Sequence, residues 1–310
     1  MKRDNSAIPK DQQILESASM LPLVSIGIPV YNAESSIALC IESALAQNYV
    51  NLEILISDNA STDATSEICK KYQGSDNRIR YFKQDQNIGA LNNFNFVLEA
   101  SKGVYFRWLG SDDVISSNSV SESVKSLERN TNFVACAVPT FFDYEYLNGQ
   151  NPIEFELEGS QYSRIQIFFR RPGRSHGLFY SLVKRDVLIE FPFITNDFFA
   201  WDWCLVLFLL SKGPFASANS AFLVLGSKGV SSSNEIYGQF GLTGSMRVLP
   251  FWHFNIKTMK SGMHWTKEVK LLLLFKLVLF NSRNLLMELR IVRYKMAKIK
   301  SRVMDFLNRH

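Results

Sequence analysis

Short apolar runs alternate with amphipathic stretches of helical length through the first third of the chain, and this alternation restricts the fold more than any other feature. Leu23 to Val30 is apolar almost throughout, as a strand covered on both faces requires. Ala33 to Gln47 follows, with Ile37, Ile41, Ala44 and Leu45 at helical spacing. Leu52 to Ser57 reads as a second strand ending at Asp58; Asn59 to Asp63 is rich in helix-starting residues, and Ala64 to Tyr72 continues as a helix. Arg78 to Lys83, Gly89 to Ala100 and Val104 to Leu109 then read as strand, helix and strand. Strands alternating with helices imply an α/β fold with a mostly parallel sheet and right-handed crossovers.

Phe133 to Pro139 predicts another strand, after which the pattern weakens. Phe141 to Ser160 is aromatic and acidic with turn signals at Asn148-Gly149 and Asn151-Pro152, Phe179 to Lys184 is strand-like, and Asp197 to Leu210 is apolar on nearly every side, as in a buried helix. Gly226 to Asn234 is a Gly/Ser loop, and beyond Tyr237 the chain reads as helices. The expected organisation is an N-terminal arm over 1–20, a main domain over 21–235 and a basic helical region over 236–310.

With 13% aromatic residues the chain of 310 is not of disordered type. Cys40, Cys69, Cys136 and Cys204 are scattered and form no C-x-x-C pair, so neither a zinc site nor a disulfide framework is expected, and a reducing, cytoplasmic setting follows. Residues 1–20 lack the apolar core of a signal peptide. No run reaches the roughly 18 apolar residues of a membrane span; Leu271 to Phe280 comes nearest and is interrupted by Lys276. Charge is uneven. Lys267 to His310 holds eleven Lys and Arg against three acids, a net +8, so the rest of a chain of net +5 carries −3.

In a parallel sheet, ligands bind beyond the carboxyl ends of the strands. After the first strand a dinucleotide fold needs G-x-G-x-x-G, but the chain has Pro29-Val-Tyr-Asn-Ala-Glu34 and no Walker Lys. The second strand ends in Ser57-Asp58-Asn59 and the fourth in Gly110-Ser111-Asp112-Asp113, on the same sheet edge. Carboxylates so placed suit Mg²⁺ or Mn²⁺, which leave coordination positions for substrate phosphates. The plainer alternative is that Asp112 or Asp113 caps a helix beginning near Ser116 and Asp58 merely ends a strand.

The segments Val24-Ser-Ile-Gly-Ile-Pro-Val-Tyr-Asn32, Ile56-Ser-Asp-Asn-Ala-Ser-Thr-Asp63, Asn87-Ile-Gly89 and Trp108-Leu-Gly-Ser-Asp-Asp113 together resemble the family 2 glycosyltransferases, inverting nucleotide-sugar enzymes of GT-A fold, and the likeness runs from about Leu23 to Asn234. It implies that Pro29, Val30, Tyr31 and Asn32 line the nucleobase and ribose and that Asp58 contacts the base. Asn87, Gly89 and Ser111 would lie near the nucleotide, Asp113 would ligate the metal, and Asp112 would touch the ribose or share the ion. Many relatives carry Asp where this chain has Gly110. The family's general base opens a helix in Glu-Asp-x-x-Leu, which Trp201-Asp202-Trp203-Cys204-Leu205 matches with Asp202 as the base, partly desolvated by two tryptophans, and with Trp201 in place of Glu. The alternative is a helix cap, for which Asp197 is also available. His176, in a segment resembling the acceptor-side strand, and Lys228 are candidates for acceptor or diphosphate contact; the late His that holds the metal in some relatives is missing from Gly226 to Ser231.

From these readings follows a metal-dependent inverting glycosyltransferase. It would use a nucleoside-diphosphate sugar, UDP-linked first, on a saccharide or lipid-linked acceptor, in building a bacterial surface polysaccharide such as O-antigen, capsule or lipopolysaccharide. The cationic, aliphatic tail suits the interface of the cytoplasmic membrane, which would make the protein peripheral on its inner face; the alternative is a helix packed on the catalytic domain with its basic face merely solvated. Nucleic acid is not expected as a partner, because base-stacking aromatics are sparse in the tail. Two rivals remain. A sugar-phosphate nucleotidyltransferase would need a basic loop after the first strand, and Tyr31 to Ser36 has no Lys or Arg. A catalytically silent, membrane-associated assembly partner of the same fold would tolerate Gly110 and Trp201.

Overall fold

A computed structural model of the chain describes residues 21–170, 176–192, 200–227, 265–276, 278, 279 and 282. The chain falls into two compact units, residues 1–197 with 205–232, and residues 198–204 with 233–310.

The first unit opens with β1 (Val24–Val30), α1 (Ile37–Leu45), β2 (Leu52–Asp58), α2 (Thr65–Ser75), β3 (Ile79–Lys83), α3 (Ala90–Glu99) and β4 (Tyr105–Trp108). Then come β5 (Val114–Ile115), α4 (Ser119–Glu128), β6 (Ala135–Ala137), β7 (Thr140–Phe142), α5 (Asp143–Leu147) and α6 (Gln161–Arg170). The remainder is α7 (His176–Phe179), β8 (Leu182–Lys184), α8 (Arg185–Leu188), α9 (Trp201–Lys212), β9 (Phe215–Ser217) and β10 (Leu223–Leu225). The first four residues of α9 belong to the second unit.

Seven strands form one sheet in the order β3-β2-β1-β4-β8-β6-β9, with β1, β2, β3 and β4 mutually parallel. The apolar runs explain this half. Every residue of β1 is buried, and all of β2 except half-buried Glu53, because helices cover both faces of a parallel sheet. From α1 come Ile37, Cys40, Ile41 and Ala44, and from α3 Leu91, Val97 and Leu98. Each Ile, Leu or Val side chain among them contributes about 1.5–3 kcal/mol when fully buried.

Beyond β4 the sheet changes character. β8 enters antiparallel between β4 and β6, and β9 pairs parallel with β6. A second sheet, β5-β10-β7, sits beside the end of β4. These strands have only two or three residues, too few to show a period of two, so the sequence pattern places them poorly. Three expectations are corrected. The predicted strand over 133–139 contracts to β6. The acceptor-side segment beginning at His176 is one turn of helix, α7, and only Leu182–Lys184 of that stretch is strand. The helix expected near Ser116 begins at Ser119, because Val114 and Ile115 first pair with β10; Asn118 precedes it without a side-chain cap, so neither Asp112 nor Asp113 caps it.

In the second unit, helical residues 267–276, 278, 279 and 282, here α10, bury Val269 and Leu273, and Trp265 before them is buried too. No described helix is long and apolar enough to cross a membrane. The expected loop and helices over 228–264, and the whole tail past 282, lie outside the described residues.

Candidate active site

Register places the candidate residues. β1 and β2 run parallel with Val30 beside Asp58, and β1 and β4 with Gly27 beside Trp108, so the loops after all three strands leave the same edge. The loop after β1 is stitched to the loop after β2. Asn32, at φ 48°, donates its backbone N–H to Ser61 Oγ at 2.9 Å and accepts from the Thr62 N–H on Oδ1 at 2.9 Å. Ala33 donates to Thr65 Oγ1, Glu34 to Asp63 Oδ2, and Glu34 accepts in return from the Ala64 N–H. Asn is among the few residues that take a left-handed conformation readily, which suits it to this bend. Tyr31 is left 48% exposed beside the stitched loops, its ring open to solvent.

Asp58 is fully buried, with both carboxylate oxygens engaged. Oδ1 accepts from the Ser61 N–H at 2.8 Å and Oδ2 from the Tyr81 hydroxyl at 2.8 Å. Burial, and the hydrogen bond to Asp58, push the Tyr81 phenol well above its usual range, so it acts as a permanent donor. Asn59, buried next to Asp58, was missed by sequence reasoning. It accepts from the Ile88 N–H at 2.8 Å and donates from Nδ2 to Asn87 Oδ1 at 3.0 Å, drawing the third loop into the cluster. Asn87 is exposed and also accepts from the Gly89 N–H; Gly89 turns the chain into α3 at φ 85°, a conformation glycine takes without a Cβ penalty.

After β4, Gly110 to Asp113 forms a tight turn closed by the Asp113 N–H on the Gly110 carbonyl at 3.0 Å. Asp113 is only 3% exposed and both its oxygens are occupied: Oδ2 accepts from the Gly110 N–H at 3.1 Å and Oδ1 from the Gly226 N–H at 2.9 Å. Burial and the neighbouring Asp112 carboxylate push its pKa up to about 7, against the pull of those two N–H groups and of His176. Asp112 and Ser111 are half-buried. The structure thus puts His176 within electrostatic reach of the acidic turn, and Tyr180 lies there too, its hydroxyl 3.3 Å from where a Cβ on Gly110 would stand. That Cβ would lie 2.5 Å from Asp113 Oδ2, which is why a side chain at this position is incompatible with the way Asp113 is held.

Below the turn, Arg107 is fully buried in β4, and among the described residues no carboxylate lies in hydrogen-bond range of it. It donates to Ser119 Oγ at 2.7 Å and to the Tyr180 carbonyl at 2.9 Å, tying the start of α4 to the segment that follows α7. Desolvation lowers its pKa to about 10, so it stays cationic at neutral pH. Among the described residues no three His, Cys, Asp or Glu side chains gather into a metal-binding group. The turn fits the alternative arrangement for a hard cation, one or two carboxylates completed by substrate phosphates, with Asp112 half-buried beside buried Asp113.

Asp202 is the second residue of α9, half-buried, and lies in the second unit; Ala200, at φ 64°, turns the chain into the helix and its carbonyl accepts from the N–H groups of Trp203 and Cys204. Its carboxylate therefore stands in the first turn and is no N-cap. Lys228 and Asp197 lie outside the described residues. A depression of 370 Å³ between Gly103, Lys184 and Ile189 opens at the start of β4, the end opposite the acidic turn.

The chain is 30% identical over 130 residues to the glycosyltransferase GlyG of Streptococcus pneumoniae, covering 42% of each chain. It is 32% identical over 197 residues to the Escherichia coli UDP-Glc:alpha-D-GlcNAc-diphosphoundecaprenol beta-1,3-glucosyltransferase WfaP, covering 62% of this chain and 72% of that one. Among solved structures, the mannosyltransferase PcManGT of Pyrobaculum calidifontis, in complex with GDP-Man and Mn²⁺, superposes with a TM-score of 0.58 at 16% identity over 90% of this chain and 76% of its own, which establishes the GT-A fold. The model of the glycosyl transferase family 2 matches residues 25–191, more than half of the chain and all three loops of the sheet edge. The chain belongs to glycosyl transferase family 2.

Proposed function

We propose that the protein transfers a sugar, with inversion, from a nucleoside diphosphate to a saccharide carried on a lipid, in the assembly of a bacterial surface polysaccharide at the inner face of the cytoplasmic membrane. The observation that carries the reading is the meeting of the loops after β1, β2 and β4 at one sheet edge, with Asp58 and the Asp112-Asp113 turn among them. WfaP, whose name specifies a UDP-Glc donor and a diphosphoundecaprenol-linked acceptor, supports a UDP-sugar donor and a lipid-linked acceptor here.

In this reading Tyr31 packs on the base, and Asp58 with Asn59 holds the three loops at the spacing the nucleotide needs. Asp113 would ligate Mn²⁺ or Mg²⁺, with Asp112 sharing the ion or touching the ribose; a bound ion would offset negative charge on the diphosphate leaving group. Asp202 takes the proton from the acceptor hydroxyl as its oxygen forms the bond to the anomeric carbon and the bond to the diphosphate breaks. His176 and Lys228 serve the diphosphate or the acceptor. The PcManGT complex with GDP-Man and Mn²⁺ lends support to a cation at this edge of the fold.

Calorimetric titration with a panel of nucleoside diphosphates and Mn²⁺ tests the reading. Binding of one base in preference to the others, dependent on Asp112, is the expected result. Failure of every nucleotide to bind would favour the catalytically silent partner instead.

A further inference from the structure

We propose that the solvent-facing apolar stripe of α10 is the surface by which this protein docks on an anionic lipid bilayer. The inference deepens the membrane-surface reading above, on which it rests, by assigning the side chains that meet the lipid.

The helix is apolar on two sides. Val269 and Leu273 are fully buried, whereas Leu271, Leu274, Phe275 and Val278 are 68%, 49%, 65% and 62% exposed. Spacing of i, i+3, i+4 and i+7 puts these four on one face. Exposed apolar side chains scattered singly need no explanation, but four large ones in one contiguous stripe mark an interaction surface.

Charge selects the occupant. Lys267 and Lys270 are exposed on the first turn of the same helix, and residues 267–310 carry a net +8. A second copy of the chain would bring the same positive charge to the same face, which opposes self-association. Nucleic acid would satisfy the charge and leave the apolar stripe in water. An anionic bilayer satisfies both: the stripe enters the acyl boundary while the lysines stay among negative headgroups, the disposition of a helix lying in the interface plane.

Flotation of the full chain with vesicles of phosphatidylglycerol mixed into phosphatidylcholine, against vesicles of phosphatidylcholine alone, tests the proposal. The wild-type protein should float with the anionic vesicles and not with the neutral ones. L271S/F275S should lower the partition coefficient at least about tenfold, through lost apolar burial. K267Q/K270Q, which touches only exposed side chains and leaves folding intact, should lower it roughly fivefold per charge removed. Nucleotide titration of the same samples reads the donor site independently, so absence of wild-type flotation with intact nucleotide binding overturns this surface and leaves the catalytic reading standing. Flotation of both variants equal to that of the wild type also overturns the proposal. A change of solution mass in L271S/F275S with unchanged flotation would instead make the stripe a contact between copies.

Discussion

Gly226 and Asp113 are 113 residues apart in sequence and joined by one hydrogen bond, the Gly226 N–H on Asp113 Oδ1 at 2.9 Å. That bond fastens the end of the small sheet to the acidic turn of the large one. A Cβ on Gly226 would come within 3.0 Å of both the carbonyl oxygen and Oδ2 of Asp112, so the glycine is also what permits the close approach.

Gly226→Ala should therefore displace Asp112, at about 1–3 kcal/mol of overpacking. Calorimetry should show Mn²⁺-dependent nucleotide affinity falling about tenfold or more. Gly74→Ala is the control: a Cβ there meets nothing within 4 Å, and in the last turn of α2 it should be neutral or stabilising by up to about 1 kcal/mol. Equal behaviour of the two variants would refute the close-approach role.

Asp113 gives a pH dependence of definite sign. Its pKa is about 7 in the fold and near 3.8 in the unfolded chain, so between those values the native state holds the extra proton. Stability from this group is full below about pH 4 and is lost as pH rises through 7, by at most about 4 kcal/mol. Thermal melts of the metal-free protein from pH 5 to 8 should fall more steeply for wild type than for Asp113→Asn. Added Mn²⁺ should restore the loss at pH 8.

Tyr81→Phe removes the hydroxyl that satisfies buried Asp58 Oδ2. The orphaned oxygen costs about 1–3 kcal/mol, measurable as a lower urea midpoint with unchanged m-value. Nucleotide affinity should fall with it, since Asp58 also holds the Ser61 N–H that fixes the loop meeting Asn32. Full wild-type stability in this variant would remove Tyr81 from the loop cluster.

Asp202→Asn and Asp112→Asn should separate chemistry from donor binding. The first should leave calorimetric donor affinity unchanged while lowering transfer about 10²–10⁴-fold. The second should abolish the effect of Mn²⁺ on donor binding. Parallel loss of nucleotide affinity in both would contradict the division of roles.

The β1 to β4 half was legible in the sequence because it obeys local rules. Seven-residue apolar strands and amphipathic helices announce themselves by period, and each strand end carries its polar residues in sequence with it. Asn59 and Tyr81 were not legible. Asn59 matters through a loop 28 residues away and Tyr81 through a carboxylate 23 residues away, and nothing in their immediate sequence records either partner.

The sequence by itself determined the α/β class, the parallel order of the first four strands and the presence of acidic residues at one sheet edge, since period and composition dictate all three. Only the tertiary structure decided how each carboxylate is held. Asp112 and Asp113 are adjacent and chemically identical, yet burial and the backbone N–H groups of nearby Gly110 and distant Gly226 hold Asp113, while Asp112 stays half-buried at the turn. Burial and hydrogen bonding depend on what the rest of the chain packs against a residue, and no local pattern encodes that.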